Sequence, residues 1–175
     1  MTTLTAIRDL MYDSFEVHRV LIVAPLRVAR DTWPEELRKW DHLKDLTCSV
    51  VVGSVTERRQ TLQKPADLYI VNRENLVWLC KNCRLDFDMV VLDELSSFKN
   101  QQAQRFKAMK ALRPKVKRIV GLTGTPSGNG LMDLWAEFRL LDMGERLGRY
   151  ISQYRNTYFP SRTNGTGWWC FPTSP

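Results

Sequence analysis

The chain has 175 residues, 43% hydrophobic and 26% charged, and its 26 Lys and Arg against 19 Asp and Glu give a formal net charge of +7. A single domain of this size buries roughly 70% of its unfolded surface, so the composition describes a globular protein and excludes a disordered or membranous one. No apolar run approaches the ~20 residues of a membrane span, and the amino terminus has neither the basic nor the apolar part of a secretion signal, which reads as a cytoplasmic protein.

Leu4, Ile7, Leu10 and Met11 fall at helical spacing and predict a first helix over residues 3–13. Residues 20–24 are a continuous apolar run, a strand buried on both faces, stopped by Pro25. Asp31 or Thr32 is the expected cap of a helix over 33–40, with Pro34 in the first turn, where its missing N–H costs little. A second strand over 47–52 ends at Gly53, and Ser54 with Glu57 forms a capping box that opens a helix to about residue 63. A strand over 68–71, a short helix over 74–80 and a strand over 89–92 follow. Next come a helix over 101–112 closed by Pro114, a fifth strand over 118–122, and helices over 131–141 and 146–154. Strands alternating with helices of about ten residues mean crossover units and a parallel sheet, the α/β class.

From Phe159 the pattern is lost, and Trp168 and Trp169 have no core to join. The expected organisation is one domain over 1–158 and an irregular tail over 159–175, of the kind a truncation or frameshift leaves. Trp33, Trp40, Trp78 and Trp135 recur on apolar faces and read as core. Cys80 and Cys83 form the only Cys-x-x-Cys among four cysteines, with His18 and His42 at no metal-type spacing, so reduced thiols are expected rather than a zinc site.

Charge is unevenly spread. Between Glu94 and Asp133 no acid occurs, while Lys99, Arg105, Lys107, Lys110, Arg113, Lys115, Lys117 and Arg118 supply eight positive charges. Such a stretch can neutralise nucleic-acid phosphates. The competing reading is a solvated helix whose stripe of Ala103, Phe106, Met109 and Leu112 packs inward while the lysines face water.

Ligands of open parallel sheets bind outside the carboxyl ends of the strands. Asp93-Glu94 and Thr123/Thr125 occupy two such ends, bringing two acids and two hydroxyls toward one crevice. That set suits phosphoryl transfer, in which one carboxylate holds magnesium and its neighbour orients the attacking water.

These residues also carry a family resemblance. Asp93-Glu-Leu-Ser-Ser-Phe-Lys-Asn100 resembles the Asp-Glu-Ala-His-Arg-Ile-Lys-Asn motif II of Swi/Snf-type ATPases in helicase superfamily 2. Leu122-Thr-Gly-Thr-Pro126, followed by Asn129, Leu131, Asp133, Leu134 and Trp135, is similar to motif III and its succeeding helix. Val20-Leu-Ile-Val-Ala-Pro-Leu26, with Trp33 and Glu36 behind it, resembles motif Ia. The three motifs stand in the family's order across roughly residues 20–140. The resemblance implies a RecA-like lobe, a parallel sheet with helices on both faces, that binds ATP and magnesium and works on double-stranded DNA.

By the same resemblance Asp93 holds magnesium through water and Glu94 orients the hydrolytic water. Thr123, Gly124, Thr125 and Pro126 couple nucleotide state to the DNA path; Pro25, Leu26 and Arg27 touch the DNA backbone; Lys99 and Asn100 close motif II, where they serve DNA or only fix the next turn. Ser96 stands where the family usually has a histidine bridging the phosphate site to motif III, which weakens that coupling. The Gly-Lys-Thr/Ser phosphate loop of the family occurs nowhere in the sequence, and neither does its second lobe with the arginine finger. The expectation is therefore a first-lobe segment with little ATPase activity by itself, a second lobe being supplied in cis or in trans. Two rivals stand beside it: a non-catalytic module that binds nucleic acid or a partner, and a structural fragment completed by another chain. In helicase lobes the phosphate-loop strand lies beside the motif III strand, so its absence leaves residues 118–122 with an open edge.

Overall fold

The structure, a computed structural model, describes residues 2–128 and 130–159. Five parallel strands, β1 (Val20–Ala24), β2 (Cys48–Val51), β3 (Leu68–Asn72), β4 (Met89–Asp93) and β5 (Arg118–Leu122), form one sheet in the order β2-β3-β1-β4-β5. The helices are α1 (Thr2–Arg8), α2 (Trp33–Lys39), α3 (Val55–Gln63), α4 (Leu76–Asn82), α5 (Gln104–Leu112), α6 (Met132–Leu141) and α7 (Ile151–Tyr158). The central strands are apolar throughout because both pleat faces are covered. Val20, Ile22, Ala24, Ile70 and Val91 pack with α1 and α2, whereas Leu21, Val23, Val71, Val90 and Leu92 pack with α4, α5 and α6.

The expected strands are all present. Ser54 makes the expected capping box, its hydroxyl accepting from the Glu57 N–H while the Glu57 carboxylate accepts from the Ser54 N–H. The cap of α2 and three helix starts differ, α4 beginning at Leu76 rather than residue 74 and α5 at Gln104 rather than residue 101. No side chain of Asp31 or Thr32 caps α2; the chain turns helical directly after Pro25, the Ala29 N–H donating to the Pro25 carbonyl at 2.8 Å, and passes through a π-turn over Val28–Thr32. Pro34 explains the wide turn, since it has no N–H for a regular α-helical bond. The last helix begins at Ile151 rather than residue 146, because Gly144 (φ 86°) and Gly148 (φ 84°) hold the preceding residues in left-handed turns. Residues 160–175, most of the expected tail, lie outside the described residues.

β5 is an edge strand: Ile119, Val120 and Leu122 are half-buried where Val90, Val91 and Leu92 beside them are fully buried. Within β5, Gly121 gives room to its neighbours. A Cβ there would lie 2.5 Å from Leu95 Cδ2 and 3.3 Å from Leu141 Cδ2. Gly121→Val is expected to destabilise the chain by about 1–3 kcal/mol through overpacking, read as a lower urea midpoint with unchanged slope. An unchanged midpoint would contradict the packing described.

Candidate functional site

The strand order reverses at β1, whose neighbours are β3 on one side and β4 on the other. The carboxyl ends of β1 and β4 therefore flank the switch-point crevice where ligands of open α/β sheets sit. Pro25, Leu26 and Arg27 leave β1 there, Leu26 being 49% exposed and Arg27 exposed as well. Asp93 ends β4 and pairs in register with Leu122, so Thr123 leaves β5 beside Glu94. The fold thus brings Asp93, Glu94 and Thr123 to one edge.

Two features of the acidic pair were not legible in the sequence. Trp33 of α2, expected as core and as part of the motif Ia resemblance, is buried, yet its indole N–H also donates to Asp93 Oδ2 at 2.9 Å. This bond orients the carboxylate from across the crevice. Glu94 adopts a left-handed backbone (φ 58°, ψ 59°) and its carbonyl accepts from the Ser97 N–H at 2.9 Å, turning the chain sharply off the strand. A non-glycine residue in that region costs roughly 1–2 kcal/mol and persists only where surroundings enforce it, often at functional sites. Glu94→Gly is accordingly expected to hold or raise stability by up to about 1 kcal/mol, while removing the carboxylate. A clear loss of stability in thermal unfolding would show that the Glu94 side chain supports the fold.

On the β5 side, the Thr125 N–H donates to Thr123 Oγ1 at 3.2 Å, and Gly124, Thr125 and Pro126 are exposed. Asn129 lies outside the described residues. Lys99 Nζ stands 3.5 Å from Asp133 Oδ2, tying the end of motif II to α6. Asn100 Oδ1 accepts from the Gln102 N–H at 2.9 Å, fixing the turn into α5. One turn along α6 from Asp133, Glu137 is only 2% exposed and its Oε1 has no hydrogen-bond partner among the described residues. Burial pushes its carboxyl up to about 7, Asp133 adding to the rise and Lys99 opposing it.

Sequence reasoning also missed a polar knot at the end of β3. Asn72, buried, donates to Glu74 and accepts from Asn75, whose Oδ1 accepts from Arg58 at 2.9 Å; the Arg58 guanidinium lies 4.1 Å from the centre of the Trp78 ring. A polar residue closing an apolar strand was the available signal.

The basic stretch after Glu94 divides. Phe106, Met109 and Leu112 are buried as expected of the inward stripe. Lys99 pairs with Asp133, Lys117 with Asp88 at 3.2 Å and Arg118 with Glu16. Arg105 donates to the Ser97 carbonyl at 2.9 Å, and Arg113 reaches the carbonyls of Leu140, Leu141 and Val116, capping the end of α6. Lys107, Lys110 and Lys115 remain without an ion pair among the described residues. Burial pushes the Cys80 thiol up to about 11, which makes it a poor nucleophile at neutral pH. Among the described residues no group of three or more His, Cys, Asp or Glu could hold a metal, and no helix is long and apolar enough to cross a membrane.

The model of the SNF2-related domain matches residues 1–158. The chain belongs to the SNF2-related domain family. Putative protein p41 of Acyrthosiphon pisum secondary endosymbiont phage 1 is 39% identical over 165 residues, covering 90% of this chain and 36% of that protein. The DNA excision repair protein ERCC-6-like 2 of Mus musculus is 30% identical over 118 residues, 66% of this chain and 7% of its own length. Among solved structures, the Sulfolobus solfataricus SWI2/SNF2 ATPase core in complex with dsDNA is similar at 28% identity and a TM-score of 0.76, covering 89% of this chain and 31% of that one. The same organism's SWI2/SNF2 ATPase core domain gives 26% identity and a TM-score of 0.65 over 89% of this chain and 30% of its own. This SNF2-related chain therefore spans about a third or less of these relatives, and it has the α/β RecA-like lobe of a Swi/Snf-type ATPase domain.

Proposed function

We propose that this chain is a first-lobe segment of a Swi/Snf-type motor that couples ATP hydrolysis to movement along double-stranded DNA, within a protein that works in the cytoplasm. The observation that carries the reading is Glu94, an acid in a costly left-handed conformation beside Asp93 and Thr123 at the switch-point crevice. Membership of the SNF2-related family supports ATP as the nucleotide. Magnesium fits the donors present: an ion of this kind takes one or two carboxylates and fills its shell with phosphates and water, and Asp93, steadied by Trp33, is such a carboxylate. When bound, the ion would supply charge neutralisation at the phosphates.

In this reading Glu94 orients the attacking water and receives its proton. Thr123, Gly124, Thr125 and Pro126 carry the state of the site toward DNA, and Lys99, through Asp133, holds α6 to the end of motif II. Pro25, half-buried, and Leu26 and Arg27, exposed, at the end of β1 are the proposed backbone contacts, together with Lys99 and Asn100 at the end of motif II. A second lobe, in cis or in trans, would close the site. The half-exposed edge of β5 supports a further strand that completes the sheet. The organisation proposed is a lobe over 1–158 with an appended segment over 159–175.

The test is a chimera in which residues 20–141 replace the matching segment of the Sulfolobus solfataricus core. It is expected to hydrolyse ATP in a duplex-dependent manner, and Glu94→Gln is expected to lower the rate by about 10²-fold or more. Duplex-dependent hydrolysis that survives Glu94→Gln would remove Glu94 from the reaction. A folded chimera that binds duplex and never responds to nucleotide would favour the non-catalytic module.

A further inference from the structure

We propose that the surface formed by the carboxyl ends of α5 and α6 and residues 142–150 docks the phosphate backbone of a duplex DNA segment, separately from the strand-end crevice. α5 runs back from the end of β4 toward the start of β5, and α6 returns beside it until the Arg113 guanidinium meets the Leu140 and Leu141 carbonyls. The smaller cleft therefore lies toward the amino ends of the strands, while the larger one reaches along α5 to Gln101; neither is lined by Asp93, Glu94 or Thr123.

Two adjoining clefts of about 320 and 440 Å³ open there, and Lys110, Arg139 and Arg149 line both. None of these three cations has an ion pair among the described residues, and Arg139 Nε is buried without a hydrogen-bond partner. The nearest acids do not neutralise the group. The Asp142 carboxylate accepts from the N–H groups of Gly144, Glu145 and Arg146, and Glu137 is buried with its ionisation pushed toward neutral pH. Glu145 alone is an exposed acid here.

The surface is also held in shape. Trp135 Nε1 donates to the Gly148 carbonyl at 3.1 Å and the Tyr154 hydroxyl to the Leu131 carbonyl at 2.8 Å, so the cations need little ordering on binding. Tyr150, 71% exposed beside the larger cleft, offers a flat face to sugar or base edges. Unpaired guanidinium and ammonium groups held in fixed positions match regularly spaced phosphates. An acidic segment held by the same arginines is the competing occupant, and a poly-glutamate peptide separates it from duplex.

Binding of a fluorescent 20-base-pair duplex by the full chain, measured from 50 to 200 mM salt, tests this. Lys110 and Arg149 are exposed, so the double variant Lys110→Gln/Arg149→Gln is expected to keep the wild-type melting temperature. It is expected to bind about tenfold more weakly at low salt, with the slope of log K on log salt shallower by about 2. Arg27→Gln reports the crevice contact independently. An unchanged affinity and slope in the folded double variant, with Arg27→Gln weakened, would overturn this surface and leave the crevice reading standing. Loss of duplex binding in the double variant with Arg27→Gln silent would support this surface and count against the crevice contact. A poly-glutamate peptide that binds wild type and fails on the double variant, while duplex binding is equal, would assign the surface to an acidic protein and also overturn the proposal.

Discussion

Residues 1–175 tested alone are expected to hydrolyse ATP at the buffer rate, with or without duplex DNA, at least about 10³-fold below a complete motor. In the proposed reading Asp93, Glu94 and Thr123 would orient a water and hold a metal, and neither role cradles the phosphates. In phosphoryl transfer catalysis is almost entirely positioning and charge stabilisation, so each missing holder multiplies the loss. No Gly-Lys-Thr or Gly-Lys-Ser occurs in the sequence to wrap the phosphates, and the arginine finger that the family places in its second lobe is worth on the order of 10³ to 10⁵ in rate. The measurement is phosphate release under saturating ATP and magnesium, with Glu94→Gln as control. DNA-stimulated release abolished by that substitution would show that the chain holds its own phosphate site and would overturn the expectation.

What could be read from the sequence follows from what is local. The runs at β1, β3 and β4 became strands because strands covered on both faces need no partner information to be recognised, and the half-covered edges β2 and β5 formed from runs of Val and Ile. The capping box at Ser54 and Glu57 is contained in four residues and formed as expected. Motif order placed Asp93, Glu94 and Thr123 at strand ends, and strand register then made them neighbours.

What could not be read depends on distance or on backbone state. Trp33 meets Asp93 across sixty positions of sequence, and no pattern near either residue announces it. The left-handed turn at Glu94 is invisible because glutamate does not signal that conformation as glycine would. The expected helix over 146–154 starts only at Ile151, since the left-handed Gly148 interrupts the chain there. The basic stretch misled by count: Arg105 and Arg113 spend their guanidinium groups on backbone carbonyls, which only the fold reveals.

Glu137 should make the chain less stable as pH rises, and Glu137→Gln should remove that dependence. Its folded-state carboxyl is pushed up to about 7 by burial and by Asp133, from an ordinary value of 4.5, while Lys99 only partly opposes the shift. Below about pH 4.5 both the folded and unfolded chains hold the proton, and the group contributes nothing to the balance. Between there and about 7 the unfolded chain releases its proton while the folded one keeps it, so stability declines through this window and stays lower beyond it. At about 1.4 kcal/mol per pKa unit the full penalty reaches roughly 3 kcal/mol. The partnerless Oε1 is the structural counterpart of that penalty. Glutamine keeps the shape and carries no charge. The variant should therefore match wild type near pH 4.5 and melt about 5–10 °C higher at pH 8. Other acids cancel in this difference: burial pushes Asp88 up, yet the His18 and Arg19 N–H groups and Lys117 hold it low in both proteins alike. Melting curves that stay parallel from pH 4.5 to 8 would show that water or a local shift solvates Glu137 in the folded chain.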